Sequence, residues 1–118
     1  MRALDWDASN PMNKFPMITV YHPSNPKLNR HANIAWVGFI GSLTGISPKI
    51  TIGEKVWLPP ENSVKTTRLG NPWTFVLRDL LYEASNMHEA ITMLQKASRT
   101  CTIHLGVGST DDHSFRSF

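Results

Sequence analysis

Three groups of residues have the types and spacing to do chemistry. The first is Cys101, which is followed by Thr102. A cysteine freed as a new N-terminus can act as a nucleophile, with its own α-amino group as the base. Here, however, Cys101 follows a helical pattern and opens a short strand pattern close to the last residue, Phe118. In that setting it reads as a buried, inert thiol. The second group is Arg2 and Asp5. A guanidinium can hold a thiolate or a developing oxyanion by a charge-assisted hydrogen bond, and a carboxylate can orient an α-ammonium group. By themselves these two residues assign nothing. The third group is the histidines, His22, His31, His88, His104 and His113, which show no metal-ligand spacing. His104 falls inside a strand pattern and reads as a satisfied structural histidine.

General motifs are absent. There is no GxGxxG or GxxxxGK[ST] phosphate cradle, no HExxH and no GxSxG. A single cysteine allows neither an intramolecular disulfide nor a CxxC zinc pair. No metal and no cofactor are therefore expected.

The elements that must position these residues can be read from hydrophobic period and turn residues. Met17-Ile18-Thr19-Val20-Tyr21, between Pro16 and Pro23, reads as a strand, and residues 22–29 read as a loop dense in Pro and Asn. Ala32 to Ile40 reads as a strand covered on both faces, because it lacks polar alternation. Residues 42–48 turn the chain, and residues 49–57 begin with a polar–apolar alternation that reads as a third strand. The period then changes. Asn71 is placed to cap and Pro72 to start a helix, with Trp73, Val76, Leu77, Leu80, Leu81 and Ala84 on one stripe. Asn86 with Glu89 forms a capping-box pattern ahead of a second helix through Met87, Ala90, Ile91, Leu94 and Ala97. Residues 102–107 read as a last strand, and residues 108–118 as a polar tail expected to fray. Strands, two consecutive helices and a strand make one α+β domain over residues 1–118.

Bulk properties narrow the function classes. The chain has 118 residues, 41% hydrophobic and 18% charged, which suits a single globular domain. Its 12 Lys and Arg exceed 9 Asp and Glu by three, but they are scattered, with no basic stripe interleaved with aromatics. No nucleic-acid partner is expected. The longest apolar run, around residues 34–40, is too short to span a bilayer, and no transmembrane segment is expected. Met1 to Asp7 lacks the apolar core of a signal peptide, so the compartment stays unassigned.

Several segments together resemble one family. Arg2-Ala3-Leu4-Asp5-Trp6 is similar to the segment that follows the catalytic cysteine in the acid ceramidase and N-acylethanolamine acid amidase group of N-terminal-nucleophile hydrolases, related to the choloylglycine hydrolases. Trp36-Val37-Gly38-Phe39-Ile40-Gly41-Ser42-Leu43-Thr44-Gly45 resembles a glycine-rich segment of the same group. Gly70 to Leu81 and Met87 to Leu94 resemble its two consecutive helices. The resemblance runs from Arg2 to about Ser109.

This resemblance implies part of an αββα sandwich and hydrolysis of a linear amide in an N-acylated lipid or a related substrate. It carries Arg2 and Asp5 across as active-site residues, and Glu54, within Gly53-Glu54-Lys55, as a weaker match to an acidic residue. It implies that the nucleophilic cysteine belongs to a strand before Arg2 and the oxyanion asparagine to a segment after Phe118. The chain is then expected to be a fragment, inactive by itself, with an uncovered sheet edge open to self-association. Trp36, Phe39 and Trp57 are the candidates for an apolar substrate pocket. Trp6, Trp36, Trp57 and Trp73 read first as core aromatics. The alternative function is a non-catalytic, amidase-derived module that binds lipid or serves a structural role.

Overall fold

The computed structural model describes residues 9–57, 60 and 69–118. Six strands form one antiparallel sheet in the order of the chain: β1 (Pro16–Tyr21), β2 (His31–Trp36), β3 (Thr44–Ile46), β4 (Ile50–Lys55), β5 (His104–Ser109) and β6 (Ser114–Ser117). Between β4 and β5 the chain leaves the sheet to form α1 (Trp73–Glu83) and α2 (Met87–Lys96).

The expected αββα sandwich is therefore corrected. The described residues form a single, mostly β layer with two helices on one side. The sandwich was implied by the family resemblance, and residues 32–40 read separately as a strand covered on both faces. Here β2 alternates instead, with His31, Asn33 and Ala35 buried and Ile34 exposed.

Strand limits shift for local reasons. β2 stops at Trp36, because Gly38 and Gly41 take positive φ values of 82° and 94° and turn the chain away. At Gly41 the turn also needs space, since an added Cβ would lie 2.7 Å from Thr74 Cβ. The neighbouring Ser42 N–H donates to the Thr74 carbonyl at 2.9 Å, which pins the β2–β3 loop to the start of α1. The region read as a turn at 42–48 contains β3, and the stretch read as a tail contains the end of β5 and all of β6.

The two helices end and start on backbone chemistry. Asn71 does not cap α1; its N–H donates to the Ser98 carbonyl at 2.7 Å, and Pro72 takes the cap position. Asn86 does cap α2, accepting from Glu89 N–H at 2.9 Å, and the Glu89 carboxylate accepts from Ser85 N–H at 2.8 Å. Asp112, in the β5–β6 turn, accepts from Met87 N–H and from Ser109 Oγ, each at 2.7 Å. One carboxylate thus ties the sheet to the start of α2.

The core lies between the helices and β4–β5. Ile50, Ile52, Leu105 and Val107 meet Val76, Leu77, Leu80, Leu81 and Ala84 of α1 and Met87, Ala90 and Leu94 of α2. Trp73 packs against this cluster from its margin. Burial of these side chains is the main force that sets the helices on that face.

Candidate functional site: the open sheet face

Strand alternation divides the sheet into two unlike faces. On the helix side stand His31, Asn33, Ala35, Ile50, Ile52, Glu54, Leu105, Val107 and Ser109, all buried. The register puts the intervening residues together on the other side. Ile18 faces Ile34, Ile34 faces Thr44, and Thr44 faces Gly53. Gly53 in turn faces Gly106, and Gly106 faces Ser117.

That second face is apolar and open. Ile18 is 68% exposed, Val20 58%, Ile34 44%, Ile46 55% and Phe115 68%. These side chains come from four different strands, so they form one patch and are not isolated surface residues. An exposed apolar face of this kind is the candidate surface for a partner.

Two hollows adjoin on the β4–β5 half of this face. One, of about 290 Å³, is lined by Thr44, Thr51, Gly53, Gly106 and Phe115. The other, of about 320 Å³, is lined by Gly53, Lys55, His104, Gly106, Phe115 and Ser117. They share Gly53, Gly106 and Phe115. At Gly106 the Phe115 ring fills the place of a side chain, lying 2.8 Å from where a Cβ would stand. Gly108 continues the strip beside Thr51, whose Oγ1 lies 2.5 Å from the position of a Gly108 Cβ. The result is a shallow trough along the strand direction. Lys55 and His104 are paired in register at one end, where Trp57 packs on His104 with ring centroids 5.4 Å apart.

A different hollow, of about 580 Å³, lies on the other side of the molecule between Tyr21, Phe39, Arg78 and Tyr82. Its base is an aromatic stack. The buried His31 ring lies 4.7 Å from Tyr21 and 4.3 Å from Tyr82. Burial is the main cause that lowers the His31 pKa, opposed by the Asn29 carbonyl and reinforced by the Arg78 charge. Arg78 itself is held by Asp79 at 2.8 Å and stacks over Phe75. Its guanidinium is thus already committed to neighbours on α1.

The sequence candidates fall as follows. Arg2 and Asp5 lie outside the described residues. Glu54 is 1% exposed and faces the helices, opposite Leu105 in register. Its side chain is on the helix side of the sheet, while the residue also lines the hollow of about 320 Å³. Cys101 is a free, half-buried thiol in the loop before β5 and not on the strand expected there. Trp36 and Phe39 meet edge to face with centroids 6.2 Å apart, but Phe39 lines the Arg78 hollow while Trp57 packs on His104. The three do not line one pocket. No group of three or more His, Cys, Asp or Glu suited to a metal is present among the described residues.

From the sequence His104 reads as a structural histidine and Gly53 and Lys55 only as neighbours of Glu54, while Gly106, Gly108 and Phe115 are not singled out. The available signal was the Gly106-Val107-Gly108 spacing, which removes two side chains from the same face of one strand.

Comparison with known proteins corrects the family expectation. No family model matches the chain. It is similar to protein dcd1B of Dictyostelium discoideum, with 38% identity over 114 residues that cover 97% of this chain and 22% of that protein. It is also similar to protein dcd1A of the same organism, with 32% identity over 124 residues covering 99% of this chain and 28% of that protein. The relatives found are these dcd1 proteins and not the acid ceramidase-like hydrolases that the short motifs suggested. The chain spans about a quarter of the length of the curated relatives it matches. No helix among the described residues is long and apolar enough to cross a membrane.

Proposed function

We propose that this chain is a non-catalytic binding layer whose open sheet face takes up the acyl part of a lipid, such as an N-acylated lipid. The observation that carries this reading is the apolar patch of Ile18, Val20, Ile34, Ile46 and Phe115, beside a glycine-floored trough. An acyl chain needs apolar contact area and no directional partner, and the patch supplies that. Trp57, at the trough end, makes binding visible. Titration with an N-acylethanolamine of medium chain length is expected to change Trp fluorescence saturably and with one-to-one stoichiometry. A signal that stays flat, or rises without saturation, contradicts the reading. Association between copies through the edge strands β1 and β6 belongs to the same proposal.

A second reading, hydrolysis of a linear amide within a longer protein, is favoured by Glu54. A carboxylate buried beside Ile52 and Leu105 is costly unless it is compensated, and such groups concentrate at functional sites. The binding reading expects no hydrolysis of a fluorogenic N-acyl amide by this chain. Turnover that Glu54→Gln abolishes would establish the second reading in its place.

A further inference from the structure

We propose that His31 is the latch of a clasp that holds the 22–30 loop and the edge strand β1 against the end of α1, and that mild acid releases it. This goes beyond the acyl-binding reading and does not depend on it, because the clasp lies on the helix side of the sheet.

Three chain segments meet at the His31 ring. It stacks on Tyr21 of β1 with centroids 4.7 Å apart, and it meets Tyr82 of α1 edge to face at 4.3 Å. Its Nδ1 lies 3.3 Å from the Asn29 carbonyl, near the end of the loop. Asn29 then fastens the loop to the helix. Its N–H donates to the Tyr82 carbonyl at 2.7 Å, and its Nδ2 donates to the Ala84 carbonyl at 3.0 Å. Residues 24–27 are exposed, so the hold of the loop on α1 is concentrated at Asn29 and His31.

The latch suits a neutral ring. A carbonyl can only accept, so the neutral imidazole carries its proton on Nδ1 and leaves Nε2 bare. Nε2 is buried and has no hydrogen-bond partner among the described residues. Acid adds a proton there, which creates a buried N–H without an acceptor and a charge withdrawn from water. The neighbouring groups do not offset this. On α1, Arg78 adds a like charge, Asp79 is engaged with Arg78, and Glu83 is exposed. In the loop, His22, Lys27 and Arg30 are exposed, and β3 brings no ionisable group. The rings of Tyr21 and Tyr82 attract an imidazolium, but burial outweighs them and lowers the His31 pKa. Once the clasp is open the ring meets water and regains its ordinary 6.5, so protonation favours opening.

Hydrogen exchange of single backbone amides reads the opening directly. It is followed by NMR on the 118-residue chain at about pH 7.5, 6.5 and 5.5, with intrinsic rates corrected for. At Asn29 the opening constant is expected to stay level above pH 6.5 and to rise below it, by at most about tenfold per pH unit, the limit for one proton. The core amides of Leu80 and Val107 are expected to show no such rise. His31→Phe keeps a ring between the tyrosines but binds no proton, and its Asn29 opening is expected to be the same at all three pH values. A level opening constant at Asn29 in wild type, a rise that survives His31→Phe, or an equal rise at Leu80 and Val107 overturns the clasp. Titration of the His31 ring protons in wild type needs no variant. Its midpoint is expected below pH 6.5, where the Asn29 opening levels off, and a midpoint at or above 6.5 overturns the latch.

Discussion

His31 is buried between two tyrosines and bonded through Nδ1 to the Asn29 carbonyl at 3.3 Å. Burial lowers its pKa below the ordinary 6.5, so the folded state binds a proton less readily than the unfolded chain. The stabilisation is complete above pH 6.5 and is lost as pH falls below that value toward the lower folded pKa. His31→Gln is expected to flatten the part of the melting-temperature profile just below pH 6.5. A wild-type profile without such a decline would remove His31 from the acid response. Asp112 acts in a lower window. Its pKa is lowered first by Met87 N–H and then by Ser109, so its contribution is present above the usual carboxylate range and lost on further acidification. Asp112→Asn should lower stability at neutral pH and reduce the acid sensitivity below about pH 4. Neither role was legible in the sequence. His31 and Asp112 gain their partners from chain segments far away, Tyr82 and Met87, which only the fold brings close.

At the scale of the elements, the helices follow from local rules. The stripe Val76, Leu77, Leu80, Leu81 and Ala84 read from the period is the face that α1 buries. Leu80→Ala is expected to cost about 2–5 kcal/mol in denaturant unfolding, because the side chain is fully buried against the sheet. Asn86→Ala removes one capping bond and should cost about 1 kcal/mol. The strands were harder to read. β3 is three residues long and contains Gly45, so it carries no period of its own. It is a strand because β2 and β4 hold it on both sides. β6 reads as polar tail, with Phe115 its one large apolar residue, and it exists through its ladder to β5. In both cases non-local pairing, absent from any sequence window, overrides weak local preference.

The whole molecule is lopsided. One sheet face is covered by two helices and the other presents isoleucine, valine and phenylalanine to solvent. The family resemblance implied a second covering sheet, and residues 32–40, apolar but for Asn33, read as a strand covered on both faces. The single sheet instead leaves Ile34 outward, and the loop residues Val37 and Ile40 are exposed as well. The candidate site was correspondingly displaced. Motif matching pointed to Arg2, Asp5 and Glu54, whereas the open geometry centres on Gly53, Gly106 and Phe115. Glycines are silent in a search for reactive side chains; here Gly106 and Gly108 leave room that the Phe115 ring and the Thr51 side chain fill. The chain matches about a quarter of the length of dcd1A and dcd1B.

The central claim, that the open face receives an acyl chain, is tested most directly by mapping backbone amide shifts while a medium-chain N-acyl lipid is titrated below its micelle concentration. The account predicts saturable shifts concentrated at Thr51, Gly53, Lys55, His104, Gly106, Gly108 and Phe115, with α2 unaffected. Shifts confined to the Tyr21–Arg78 hollow, or none on the sheet at saturating ligand, would contradict it.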